Sequence, residues 1–165
     1  MRPVEDSDAN LYCELYGDPD TMRYVGPPLS RERAQRGFRK LLALLERRPI
    51  ECMWLVIVEK ATQKSIGISA FQGFDTRRRR VEAGMMLGYG ARGRGFGKEG
   101  LRALVDYAFA TFEVDEVWIQ HELDNRGAVR VPISLGLSHN TGSKSGRSVW
   151  SAYRYSWPAA ATAGG

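Results

Sequence analysis

The sequence predicts a single α+β domain with a β-rich centre. Helix signals fill the first third of the chain, apolar stretches of strand length follow, and a glycine-rich segment then leads into a strongly amphipathic helix. The length of 165 residues corresponds to about one domain. We therefore expect one domain over 1–157, followed by a disordered tail over 158–165.

Three helices are predicted in the first third, each starting at a residue type that caps helices: Asp6 or Ser7, Asp18, and Ser30. The first helix runs to about Tyr16. The second has a proline at its first position and is stopped by the glycine and prolines of 26–28. The third carries apolar residues at helical spacing from Ala34 to Leu45 and ends at 47–49.

Strands are predicted where apolar runs are bounded by turn residues: 53–59, 65–71, 80–87, 117–122 and 148–157. The run from Met53 to Glu59 is apolar on both faces, which is typical of a central strand. A helix that starts at about Lys98 has apolar side chains at a period of 3.6 residues as far as Phe112. A shorter helix is predicted over 127–135.

The composition excludes several classes of protein. Hydrophobic residues make up 43% and charged residues 26%, as in ordinary globular proteins, so a disordered or collagen-like chain is excluded. The apolar run from Met53 to Val58 is far shorter than the roughly 18–20 residues of a membrane span. The first six residues lack the apolar region of a signal peptide. Cys13 and Cys52 have no motif spacing, so no zinc site is indicated. We expect a cytoplasmic protein without a metal.

The net charge of +5 comes from one part of the chain. Residues 77–102 hold eight basic side chains and only two acidic ones. A local positive field suits an anionic ligand or substrate. A nucleic-acid-binding module is the weaker interpretation, because such domains spread their basic residues along a face and add aromatic stacking.

The glycine-rich segment 88–97 lies between a predicted strand and a predicted helix, an order from which phosphate sites are built. It is not a Walker A loop, because Arg92 and Glu99 stand where that motif needs glycine and Ser or Thr. The dinucleotide pattern G-x-G-x-x-G occurs at 95–100. The nucleotide-binding fold needs that pattern after its first strand with several βαβ units to follow, and only 65 residues follow Gly100.

The segment from Arg92 to Gly97 instead resembles the Arg/Gln-x-x-Gly-x-Gly/Ala signature of the GNAT superfamily of acyl-CoA-dependent N-acetyltransferases. Other stretches resemble further family motifs in the right order over about 2–137: 18–25, 81–87, 98–100, 106–109, Asn125 and 135–137. The stretch 18–25 looks like the branch that contains ribosomal-protein N-terminal acetyltransferases. Ala128 and Pro132 stand where family members carry a serine and, in other branches, a tyrosine acid.

The resemblance implies a central, mostly antiparallel twisted sheet with helices on both faces. It also implies transfer of an acetyl group from acetyl-CoA to a primary amine, on a peptide N-terminus or a small molecule, by direct attack in a ternary complex. The expected partners are acetyl-CoA and the amine acceptor, with a homodimer left open and nucleic acid not expected. The alternative, which Ala128 and Pro132 favour, is a catalytically weak CoA-binding sensor or docking module of the same fold.

For the pyrophosphate of CoA, the resemblance implies a cradle of backbone N–H groups to which two arginines add charge: Arg92, Gly93, Arg94, Gly95, Phe96, Gly97 and Lys98. The thioester oxygen would accept a hydrogen bond from the main-chain N–H of Met86 or Leu87. Asn125 resembles the family asparagine that contacts the CoA arm, and asparagine is also a preferred helix N-cap.

Glu82 is the best candidate for the general base, since it stands on the strand that should present the thioester. His121 could take the proton near neutral pH, and Glu122 and Asp124 are weaker candidates. Because Pro132 occupies the tyrosine position, no leaving-group acid is predicted, and the released thiolate would take its proton from water.

Overall fold

A computed structural model describes residues 1–47, 49–141 and 146–158. The strands are β1 (Arg2–Pro3), β2 (Cys52–Val58), β3 (Ser65–Asp75), β4 (Arg80–Leu87), β5 (Glu116–Glu122), β6 (Ser138–Asn140) and β7 (Arg147–Tyr153). The helices are α1 (Ala9–Gly17), α2 (Pro19–Met22), α3 (Arg31–Leu45), α4 (Phe96–Thr111) and α5 (Arg126–Leu135). Single turns of 3-10 helix cover Asp6–Asp8 and Tyr89–Ala91.

The strands form one sheet in the order β1-β2-β3-β4-β5-β7-β6. Neighbouring strands are antiparallel except β4 and β5, which are parallel. Helices lie on both faces of the sheet, because each face buries its own apolar cluster. Phe38 of α3 belongs to one cluster with Val56 and Ile68, and Leu104 of α4 belongs to the other with Val81. The predicted α+β fold with a mostly antiparallel sheet is confirmed.

Two short strands were not predicted, and one predicted strand is too long. β1 and β6 have two and three residues, too few for an alternating pattern to show in the sequence. The last strand ends at Tyr153 rather than at Trp157. Beyond it the chain turns, because the Arg154 guanidinium donates hydrogen bonds to the carbonyls of Phe109, Phe112 and Val114 at the end of α4 and just beyond.

The segment after β7 contacts α4 through Trp157 and Pro158. The Trp157 indole N–H donates to Asp106 at 2.6 Å, and Arg102 donates to the Pro158 carbonyl at 3.1 Å. The rest of the tail predicted over 158–165, residues 159–165, lies outside the described residues. In the part of the chain that the structure describes, no helix is long and apolar enough to cross a bilayer.

Candidate active site

The parallel strands β4 and β5 separate part of the way along their length. They pair over three residues each, Arg80–Glu82 with Glu116–Trp118. β4 nevertheless continues to Leu87 and β5 to Glu122, with no ladder between these ends in the described chain. A gap therefore opens between the two strands next to the start of the glycine-rich loop.

The phase of the β3–β4 ladder decides which backbone groups face this gap. The Gly88 N–H donates to the Ile66 carbonyl at 3.0 Å. Hydrogen-bonded and non-bonded pairs alternate along an antiparallel ladder, so Met86 bonds to Ile68 of β3 and Leu87 does not bond to β3. Of the two N–H groups that the sequence offered for the thioester oxygen, that of Leu87 faces the gap. That of Met86 is used in the sheet, which corrects its assignment as a donor.

Gly67 allows β3 to lie close to the end of β4. A Cβ atom at this position would lie 2.4 Å from the Met86 carbonyl oxygen and 3.2 Å from Leu87 Cα. Real side chains do not approach backbone that closely, so any larger residue would push the two strands apart. The position of the Leu87 backbone thus depends on a glycine that no sequence motif marked.

The loop after β4 leaves backbone N–H groups available at the start of α4. Gly93 and Gly95 have left-handed φ angles of 73° and 88°, and Gly95 is the N-cap of the helix. The N–H groups of Phe96 and Gly97 belong to the first turn and have no partner within the helix. The helix dipole adds partial positive charge there, so this helix start suits an anion such as a pyrophosphate.

Arg92 was expected to add charge to the cradle, but its guanidinium bonds to other parts of the protein. Nε donates to the Leu87 carbonyl at 3.2 Å. The two terminal nitrogens donate to the Asp20 carbonyl at 3.3 Å and to Thr21 Oγ1 at 2.8 Å. Arg92 therefore connects the end of β4 to the short helix α2.

Arg94 also bonds within the protein, on the opposite side of the loop. Its guanidinium forms an ion pair with Glu59, a buried carboxylate at the end of β2, and lies 4.8 Å from the ring centroid of Phe96. The Thr62 hydroxyl donates to the same carboxylate at 2.6 Å. Both contacts lower the pKa of Glu59 below its ordinary value, and the hydrogen bond from Thr62 has the larger effect. The loop is thus attached to the β2–β3 hairpin as well as to α2.

Glu82 is half-buried and is the last residue of β4 that pairs with β5. Its Oε1 accepts a hydrogen bond from Gln120 Nε2 of β5 at 3.0 Å. Leu87 lies five residues further along the strand, or about 16 Å at the usual rise of a β-strand. A proton moving from an amine near Leu87 to Glu82 would therefore travel through water.

His121 of β5 has both ring nitrogens in hydrogen bonds. Nε2 accepts from the Trp150 indole N–H at 3.1 Å, and Nδ1 lies 2.9 Å from the Glu122 carbonyl. The indole can only donate, and it shares its one hydrogen between His121 Nε2 and Ser148 Oγ, which lies at 2.9 Å. His121 is therefore a less available base than Glu82. Glu122, a weaker candidate, pairs with Arg147 at 2.9 Å.

Asn125 is the N-cap of α5, and its side-chain oxygen accepts from the Ala128 N–H at 3.1 Å. The predicted capping role is therefore seen, while a contact with CoA stays a prediction. The helix runs from Arg126 through the buried Pro132 without ending there. Val131 lies against Gly97, whose Cβ would be 3.4 Å from the valine methyl group, so α5 packs at the start of α4.

The four arginines at 77–80 lie at the other end of β4, away from the loop. Arg79 pairs with Asp115 at 2.6 Å, and Arg80 lies 3.8 Å from Asp75. Arg78 is 3.9 Å from the same Asp75 carboxylate. Three of the four arginines therefore lie within 4 Å of one of two carboxylates, Asp75 and Asp115, which weakens the nucleic-acid interpretation.

A strand gap beside an anion-binding helix start can hold an extended ligand that ends in phosphates. Residues 1–138 match the family described as "Acetyltransferase (GNAT) domain", and the chain belongs to this family. The protein is therefore an acetyltransferase, and the prediction of acetyl-CoA as its co-substrate is confirmed at the level of the family.

The chain is also similar to individual proteins. An uncharacterized N-acetyltransferase, p20, from Bacillus licheniformis is 25% identical over 139 residues, which cover 83% of this chain and 77% of p20. Spermidine N-acetyltransferase from Vibrio cholerae, solved with CoA and spermine, has a TM-score of 0.75 and 16% identity, with 91% and 90% of the two chains covered. A ribosomal L7/L12 α-N-protein acetyltransferase solved with CoA has a TM-score of 0.76 and 14% identity, with 92% of each chain covered. These structures share the fold.

Proposed function

We propose that the chain transfers the acetyl group of acetyl-CoA to a primary amine by direct attack in a ternary complex. The observation that carries the proposal is the separation of β4 from β5 beyond Glu82, which leaves the Leu87 N–H facing the gap, shortly before an anion-binding helix start. One end of this site suits a thioester oxygen, and the other suits a pyrophosphate. Both ends lie on one continuous stretch of chain, residues 87–98.

The backbone of the loop would hold the donor. The N–H groups of Phe96 and Gly97, in the first turn of α4, would donate hydrogen bonds to the pyrophosphate, with the exposed Lys98 beside them. The Leu87 N–H would donate to the thioester oxygen and stabilise the negative charge that develops on it. Acetyl-CoA supplies the activated acetyl group. Since main-chain groups do most of this binding, the side chains of Arg92 and Arg94 are free to anchor the loop.

The acceptor amine must lose a proton before it attacks. Its nitrogen then forms a bond to the carbonyl carbon as the bond from that carbon to sulfur breaks. Glu82, hydrogen-bonded to Gln120, would receive the amine proton through water, since it lies too far from Leu87 for direct transfer. The thiolate would be protonated by solvent, because Ala128 and Pro132 offer no acid on α5.

The acceptor is a peptide N-terminus or an amine-bearing small molecule. A cavity of about 310 Å³ lies beside the end of β4 and is lined by Glu14, Asp18, Thr21 and Tyr89 among others. Its size is at the lower end of the range for small-molecule sites. Thr21 and Arg92 hold the pKa of Asp18 low, so a carboxylate faces an incoming ammonium group. The similarity of 18–25 to ribosomal-protein acetyltransferases favours a peptide amine.

The test is release of free thiol from acetyl-CoA in the presence of a panel of amines. The panel should contain N-terminal peptides, a polyamine and an amino sugar. We expect turnover with at least one of them, and mass spectrometry should show a gain of one acetyl group on that amine. Turnover that is equal with and without amine would contradict the proposal.

The alternative is a CoA-binding module with little catalytic power, which the absence of a hydroxyl at Ala128 and Pro132 favours. Such a module would gain thermal stability with CoA, because a ligand that binds only the folded state stabilises it. It would release no thiol with any amine. The two measurements together separate the alternatives.

A further inference from the structure

We propose that Arg92 is a positioning residue that anchors α2 to the end of β4, and that it does not bind the CoA phosphates. The inference rests on the proposed function for the location of the thioester site. All three nitrogens of the guanidinium donate to protein groups, and these groups belong to two separate elements. Turning the guanidinium toward a phosphate would break all three bonds.

The partners of Arg92 form a connected network on α2. Asp18 caps this helix and accepts hydrogen bonds from both the amide and the hydroxyl of Thr21. Because that hydroxyl donates to Asp18, its oxygen is oriented to accept from Arg92, as the 2.8 Å contact shows. A carboxylate, a hydroxyl and a guanidinium are thus connected in series, and charged hydrogen bonds of this kind are stronger than neutral ones.

At its other end the network fixes the backbone beside the proposed thioester site. The peptide group between Leu87 and Gly88 is held on both sides: its carbonyl accepts from Arg92, and its N–H donates to Ile66. This peptide directly follows the Leu87 N–H that faces the gap. Without Arg92 the carbonyl loses its partner, and the end of β4 is held on one side only. The same change frees α2, whose Thr21 lines the adjoining cavity.

The test compares Arg92→Gln, Arg92→Lys and Thr21→Val with the wild type in three measurements. In the free protein, hydrogen exchange of the Gly88 amide, whose N–H donates to the Ile66 carbonyl, should become several times faster in all three variants. The Kd for CoA, measured by calorimetry, should change by less than about threefold. Turnover should fall roughly tenfold to hundredfold, the scale of a misplaced catalytic group. Lysine keeps the charge but cannot reach both elements, so Arg92→Lys should behave like Arg92→Gln.

A shortened donor separates anchoring from phosphate binding. S-acetylpantetheine carries the thioester but no pyrophosphate, so the loss of turnover in Arg92→Gln should be the same with it as with acetyl-CoA. Thr21→Ser keeps the hydroxyl and should restore wild-type exchange and turnover. Arg78→Gln, which removes an exposed positive charge at the other end of β4, is the control and should change none of these values.

Several results would overturn the inference. Arg92 is a phosphate ligand if Arg92→Gln weakens CoA binding tenfold or more while Arg92→Lys does not. A loss of turnover that disappears with S-acetylpantetheine would lead to the same conclusion. Unchanged exchange in Thr21→Val would show that α2 is not held through this residue. If the wild type acetylates no amine, the proposed function fails, but the exchange and calorimetry still decide the role of Arg92.

Discussion

The two ends of β4 differ in how they are joined to the rest of the sheet. At its start, Arg80–Glu82 pair with β5, and the neighbouring arginines are compensated by Asp75 and Asp115. At its end, in the part of the chain that the structure describes, the strand pairs with β3 and not with β5, and the loop that follows is held by Arg92 and Arg94. One strand therefore contains an ordinary sheet segment and a segment with unused backbone donors.

This difference shows how a sheet can expose backbone N–H groups without leaving its strand unsupported. An unpaired strand end would be expected to be mobile. Here Gly67 lets β3 lie close to it, and side chains from α2 and the β2–β3 hairpin hold the loop from outside. Among the described residues, the Leu87 N–H and the N–H groups in the first turn of α4 stay available to a ligand.

Replacing Gly95 by Asp should abolish CoA binding. The carboxylate would lie at the helix start, where it would repel a pyrophosphate, and the left-handed φ of 88° disfavours any side chain. Calorimetry should show no heat of binding. Gly73→Asp is the matched control, because Gly73 also has a left-handed φ and open space around it but lies in β3. Equal CoA affinity in both variants would remove the helix start from the donor site.

Replacing Glu82 by Gln should lower turnover by roughly 10²–10⁴-fold, the usual contribution of a general base. The fold and the CoA affinity should be kept. The loss should shrink as the pH approaches the pKa of the amine, where free base is already abundant. Glu116→Gln is the control, because it removes a carboxylate from the paired segment of β5. Turnover close to that of the wild type from about pH 6 to 9 would exclude Glu82 from the mechanism.

Replacing Gly67 by Ala should destabilise the protein by about 1–3 kcal/mol, the usual effect of overpacking. The new methyl group would lie within 2.4 Å of the Met86 carbonyl, so the end of β4 must move. Turnover should fall about tenfold or more as the Leu87 N–H shifts. Urea unfolding and steady-state kinetics measure the two effects. Gly84→Ala, which meets open space on β4, should leave the free energy of unfolding nearly unchanged. Equal free energies of unfolding for Gly67→Ala and Gly84→Ala would contradict the close approach of β3 to β4 as the cause.

Local patterns in the sequence predicted the strand, the glycine-rich loop and the helix, because neighbouring residues form them. The same patterns could not choose between Met86 and Leu87, since the choice depends on the phase of the ladder with β3. The anchors of the loop were missed for a similar reason. Thr21 is 71 residues from Arg92, and Glu59 is 35 residues from Arg94, and no spacing rule connects positions that far apart. Charge alone therefore did not indicate that both arginines bond to other parts of the protein, and their predicted contact with CoA stays a prediction.

Replacing Glu59 by Gln should have the smallest effect, and that effect should depend on pH. Thr62 and Arg94 lower the pKa of this carboxyl in the folded protein, so its stabilising contribution is present above the unfolded-state pKa, near 4.5. That contribution is lost as the pH falls through the folded-state pKa. At neutral pH the variant should melt slightly below the wild type, because Thr62 and Arg94 then lose their charged partner.

The difference in Tm should close as the pH falls below the folded-state pKa of Glu59, because the wild-type carboxyl is then protonated and resembles the amide. Calorimetric scans across this range measure it. Thr62→Val, which removes the first of the two partners, should reduce the same pH-dependent difference while leaving Arg94 in place. A constant offset between wild type and Glu59→Gln at every pH would mean that packing, rather than the charge of Glu59, holds the loop against the hairpin. The end of β4 would then be supported electrostatically by Arg92 alone.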